Sequence, residues 1–146
     1  MEFNPSKCNI ILVTRRRTPF KFQYKLHGKV LETVDTTKYL GINLSHDLRW
    51  NGHVNAITTK ANKTLNFLCR NLRTCSAKSK EQAYKALERP TVEYSATVWH
   101  PYVAKNMQQV EMIQRRAARW VLGRYDRLDS NMLSSLKCRS LELRRI

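Results

Sequence analysis

Lys38-Tyr39-Leu40-Gly41 is the stretch at which the chain changes character. A strand-forming Tyr-Leu pair followed by Gly reads as a strand with a bend or a close backbone approach. Upstream, Cys8 to Thr14 is a β-branched apolar run suited to a largely buried strand, ended by Arg15-Arg16-Arg17 and Pro19. Phe20 to Leu26 alternates apolar with polar, the period of a half-buried strand with Phe20, Phe22, Tyr24 and Leu26 inward. His27-Gly28 is placed for a tight turn, Lys29 to Val34 for a returning strand, and Asp35-Thr36-Thr37 for a turn into Lys38 to Leu44. Residues 1–49 are thus expected to form a small antiparallel β-sheet in hairpin order.

From Trp50 the apolar period becomes helical. Val54, Ile57, Ala61, Leu65, Leu68 and Leu72 form one stripe. Ser79 with Gln82 predicts a capping box for a second helix, whose face is Tyr84, Leu87, Thr91, Tyr94 and Val98. Pro90 should kink or break that helix near Glu88, because its ring clashes with the preceding turn and it lacks an N–H. Beyond Pro101 a third helix is predicted, capped at Asn106 with Gln109. Met107, Val110, Ile113, Ala117, Trp120 and Val121 are its core stripe, and Gly123 ends it. Asp129-Ser130 suggests a short fourth helix, and Ser140 onward another. The fold class is α+β, a β-rich region 1–49 followed by a helical bundle over 50–146. Trp50, Trp99 and Trp120 are expected in the core.

The 146 residues carry 27 Lys and Arg against 11 Asp and Glu, a net charge of +16. Such an excess fits a polyanionic partner, nucleic acid foremost. It is uneven, +5 over residues 1–49 and +11 over 50–146, so the helices should hold most of the affinity. The four cysteines have no CxxC spacing, and no apolar run approaches a membrane span. A reduced, intracellular protein with free thiols, no metal and no membrane contact is expected.

Catalytic constellations are missing from the string. No two Asp or Glu residues are adjacent, and the four histidines lack metal-ligand spacing. Neither a Gly-x-Ser-x-Gly motif nor a phosphate-binding glycine loop occurs. What remains is binding through phosphates, which needs cationic stripes rather than exact spacing. Lys60, Lys63 and Arg70 form one such stripe, and Arg115 with Arg119 another; a solvated helix face is the bland alternative, with Glu111–Arg115 an i,i+4 pair. Phe67, between basic residues, is read as the rim of the core, with base stacking as its alternative. Arg15-Arg16-Arg17 is either a solvated strand end or a phosphate clamp.

Six strings in order give these pieces a common pattern: Phe3-Asn4-Pro5-Ser6-Lys7-Cys8, Thr37-Lys38-Tyr39-Leu40-Gly41-Ile42, Ala61-Asn62-Lys63-Thr64-Leu65-Asn66-Phe67-Leu68, Arg89-Pro90-Thr91-Val92-Glu93-Tyr94, Val98-Trp99-His100-Pro101-Tyr102 and Gln114-Arg115-Arg116-Ala117-Ala118-Arg119. Together they resemble the reverse transcriptase of non-LTR retrotransposons, jockey-like elements in particular, over essentially the whole chain. The resemblance implies the C-terminal part of that RNA-directed DNA polymerase, downstream of its catalytic aspartates and within a longer ancestral reading frame. It implies that Lys38, Tyr39, Leu40 and Gly41 belong to the primer grip and that the helices form the thumb. The implied partners are an RNA or DNA template–primer duplex, bound through phosphates, and a separate palm and fingers segment. No catalytic residue and no cofactor are expected in this chain; the parent polymerase would use Mg. The alternatives are a stand-alone, non-specific nucleic-acid-binding protein and a non-functional relic reading frame. Glu88 and Thr91 depart from the family's aliphatic positions, and Cys138 from its Trp.

Overall fold

The computed structural model describes residues 3–14, 16–20 and 22–123. The expected helices after Asp129 and at Ser140, the Cys138 position, and Arg15 lie outside them. The fold is α+β, the described residues being 50% helical and 13% strand. The chain divides into two compact units, one up to His53 and one from Val54 onward.

Among its described residues the first unit holds three two-stranded ladders. β1 (Asn9–Ile10) pairs in parallel with β4 (Glu32–Thr33). β2 (Lys25–Leu26) and β3 (Lys29–Val30) form a hairpin whose two-residue loop is His27-Gly28, with φ of 49° and 78°. Positive φ at both loop positions is the type I′ geometry that matches strand twist. The longest ladder is β5 (Thr36–Tyr39) against β6 (Ile42–Ser45). After β6, Asp47 Oδ1 accepts from the Ser45 hydroxyl at 2.6 Å and the Arg49 N–H at 2.9 Å, closing the turn into the first helix. Those bonds to its charged form, the Ser45 bond first, hold the Asp47 carboxyl below its usual range.

Two sequence expectations fail here, for one reason. The run Cys8 to Thr14 pairs only at Asn9–Ile10, and Val13 is exposed. The alternation from Phe20 is realised only at Lys25–Leu26, leaving Phe20, Phe22 and Tyr24 exposed at 82%, 69% and 47%. A strand's preference is expressed only against a neighbouring strand and an opposing apolar layer. This unit supplies little of either: Ile42 is its one buried hydrophobic among the described residues.

The second unit holds the core. α1 (Asn51–Asn71) buries Val54, Ala61, Leu65 and Leu68, as its stripe predicts. α2 (Ala77–Ala83) is capped by Ser76, whose hydroxyl accepts from the Ser79 N–H at 3.2 Å. The capping serine is therefore Ser76, and Ser79 is the third helical residue it serves. A π-helical turn (Tyr84–Glu88) then leads into α3 (Arg89–Glu93). Pro90 does interrupt the helix, and the wider turn accommodates its missing N–H. The wider turn also shifts the buried face to Tyr84, Glu88 and Val92, so Leu87, Tyr94 and Val98 face solvent instead of forming the stripe.

α4 (Ala104–Leu122) buries Val110, Ile113, Ala117, Trp120 and Val121, and Gly123 at φ 64° terminates it. Asn106 is buried one turn inside α4 and does not cap it; the helix starts from Val103 without a side-chain cap. Leu65 and Leu68 of α1, Tyr84, and Ala117, Ala118, Trp120 and Val121 of α4 form the central cluster. Trp99 is fully buried and donates from Nε1 to the Tyr94 carbonyl at 2.7 Å, while Trp50 is half-buried and edge-on to His53.

Candidate nucleic-acid interface

Lys38, Tyr39, Leu40 and Gly41 lie at the tip of the β5–β6 hairpin. Tyr39 is paired with Ile42, and Leu40-Gly41 is the two-residue loop, at φ 47° and 84°. Gly fits the second loop position without penalty; Leu40 holds a left-handed conformation that branched and bulky residues seldom take. All four are exposed, Tyr39 at 64% and Leu40 at 71%, whereas Ile42 turns inward. The hairpin root is tied to the start of α1, where buried His53 accepts the Asn43 N–H on Nδ1 at 3.3 Å. Burial lowers the His53 pKa, favouring the neutral ring that this acceptor role requires.

On α1, Lys60, Lys63 and Arg70 are all exposed. At about 100° per residue they share one side of the helix, opposite the buried Val54–Leu68 stripe. Phe67 stands among them, 54% exposed, so it is not the core-rim residue the sequence suggested. Its spacing from Lys63 and Arg70 puts it on the basic side rather than the apolar one.

On α4, Arg115 is exposed and Arg119 is half-buried, its Nε shielded from solvent without a hydrogen-bond partner. No ion pair joins Glu111 to Arg115; among the described residues the pairs are Asp47–Arg49, Glu81–Lys85 and Glu93–Arg89. Between them lies Arg116, a residue not singled out from sequence. Its guanidinium donates to Asn62 Oδ1 at 2.9 Å and Asn66 Oδ1 at 2.6 Å, locking α4 to α1. The legible signal was Asn62 and Asn66, an i,i+4 amide pair that a two-pronged donor matches.

Charge accounting in this unit favours anions strongly. Twelve Lys and Arg face four Glu between Val54 and Gly123. Two of those Glu are taken up by Lys85 and Arg89. A third, Glu88, is fully buried, with neither carboxylate oxygen hydrogen-bonded, and desolvation pushes its pKa up to about 8 against the opposing field of Arg116. Glu88 is thus neutral at pH 7, leaving Glu111 as the remaining acid. Among the described residues no group of three or more His, Cys, Asp or Glu is placed to hold a metal ion, and no helix is long and apolar enough to cross a membrane.

No protein-family model matches the chain, and no solved structure does. A curated relative is similar: the probable RNA-directed DNA polymerase from transposon BS of Drosophila melanogaster, 25% identical over 123 residues. The match covers 82% of this chain but 14% of the relative, so the chain spans about one-seventh of that protein's length. The similarity supports a reverse-transcriptase-related origin for the chain.

Proposed function

We propose that the chain is the C-terminal part of a jockey-like non-LTR reverse transcriptase, comprising the end of the palm, the primer grip and the thumb, and that it holds a template–primer duplex through phosphates. The observation that carries this reading is the pair of basic helix faces, Lys60-Lys63-Arg70 and Arg115-Arg119, in a unit where three of the four described acids are paired or neutralised. Similarity to a transposon RNA-directed DNA polymerase supports the descent. Lys38 to Gly41, at an exposed hairpin tip, have the accessibility a primer grip needs. Two-metal nucleotide addition requires clustered carboxylates; no two Asp or Glu residues are adjacent in this sequence, and no metal-holding group of them stands among the described residues. The chain alone would therefore bind without polymerising, and Mg and the aspartates that hold it would come from a palm and fingers segment.

The test is binding of a blunt RNA–DNA or DNA duplex across a salt series. Affinity should fall steeply with salt, and the Lys60→Ala/Lys63→Ala/Arg70→Ala variant should flatten the log–log slope by about 2 to 3. Duplex binding that ignores both salt and these substitutions would refute the reading. A relic reading frame is the second interpretation. It is favoured by Glu88, a buried acid with no hydrogen-bond partner in the core of the helical unit.

A further inference from the structure

The aromatic residues exposed on the first unit do not stand alone. Beside them opens a cleft of about 800 Å³, lined among others by Leu12, Arg16, Arg17, Phe22, Val34 and His46. That volume lies within the range of ligand clefts. Arg16 stacks over the Phe20 ring, its guanidinium carbon 5.4 Å from the centroid, and its backbone N–H is held by the Thr14 hydroxyl at 3.1 Å. Phe22 meets Tyr24 edge to face at 5.0 Å. Among the described residues the acid on the cleft wall is Asp35, whose backbone carbonyl accepts the His46 N–H at 2.8 Å. Neither Arg16 nor Arg17 forms an ion pair among the described residues.

We infer that this cleft, together with the exposed Phe20 ring that Arg16 covers beside it, is a second nucleic-acid site, specific for single strands: Phe20 and Phe22 stack unpaired bases while Arg16 and Arg17 hold the flanking phosphates. Exposed rings interleaved with unpaired cations are the two components single-strand sites combine. A duplex offers phosphates but keeps its base faces stacked internally, so it satisfies only half of this surface. A covering protein segment would satisfy the rings but bury two arginines that face a single carboxylate among the described residues, at a substantial desolvation cost. This site is independent of the helical faces and shares no residue with them.

The experiment uses the full chain with fluorescently labelled oligo(dT) and, separately, a blunt duplex. Phe20→Ala/Phe22→Ala should weaken oligo(dT) binding at least tenfold and leave duplex binding within twofold. Arg16→Ala/Arg17→Ala should weaken oligo(dT) binding and flatten its salt slope by about 1.4. Phe22→Trp should retain binding, with its added fluorescence quenched by the single strand. The Lys60→Ala/Lys63→Ala/Arg70→Ala variant should show the reverse pattern, so loss of duplex binding with oligo(dT) binding intact separates this site from the thumb reading. The inference is overturned if removing the two rings leaves oligo(dT) affinity unchanged, if it weakens both ligands equally, or if it abolishes only self-association, which would mark the face as one covered by protein.

Discussion

Glu88 gives the helical unit a stability that should decline as pH rises through neutrality. Its side chain is fully buried, has no hydrogen bond to either oxygen, and titrates near 8 rather than 4.5 because burial penalises the carboxylate. Arg116 eases this without reversing it. The folded state therefore keeps a proton that the unfolded chain releases, and stability falls between about pH 4.5 and pH 8. At pH 7 the protein must protonate Glu88 about 2.5 units above its unfolded pKa, a cost of about 3 kcal/mol. Glu88→Gln has nearly the same shape and does not titrate. In urea unfolding it should match the wild type near pH 4.5 and exceed it by up to about 3 kcal/mol at pH 7, less the cost of burying the amide. Glu88→Leu should gain stability at both pH values, because it buries no polar atom. The assay is a pair of denaturation series at pH 4.5 and 7.5, comparing variant with wild type so that other titrations cancel. A difference that stays constant with pH would refute the reasoning, since only a buried ionisable carboxyl produces the widening gap.

Opposite behaviour is expected at His53 in the first unit. Its lowered pKa means that the unfolded chain binds a proton the folded ring refuses, so stability there falls as pH drops through 6.5; the Asn43 amide should lose exchange protection over that interval, and protection unchanged from pH 7 to 5 counts against it. Arg116→Ala removes two hydrogen bonds to α1 and should cost about 1–2 kcal/mol in urea unfolding. It should also extend the Glu88 pH dependence to higher pH, and a double-mutant cycle with Glu88→Gln that proves additive would show the two do not interact. At the hairpin tip, Leu40→Asn should stabilise by about 0.5–1 kcal/mol, since Asn accepts positive φ readily, and Gly41→Val should destabilise by at least as much. Equal melting temperatures for both would refute the positive-φ conformation of the Leu40-Gly41 loop.

The sequence alone determined the helical half well. A stripe such as Val54-Ala61-Leu65-Leu68 is a local property, because 3.6-residue periodicity puts those side chains on one face whatever they pack against. Pro90 and Gly123 acted where they stand, since ring geometry and a left-handed φ need no distant partner. The cationic faces of α1 were legible for the same reason. Tertiary structure decided the rest. Whether Phe20, Phe22 and Tyr24 turn inward depended on a second layer, and the unit that holds them has too little core to provide one. Phe67 looked like core until the packing put it on the solvent side of α1. Arg116 gained its role only when two helices remote in sequence brought it against Asn62 and Asn66. Glu88, an ordinary charged residue on paper, became a neutral one through burial, a property of the assembled core rather than of its neighbours along the chain.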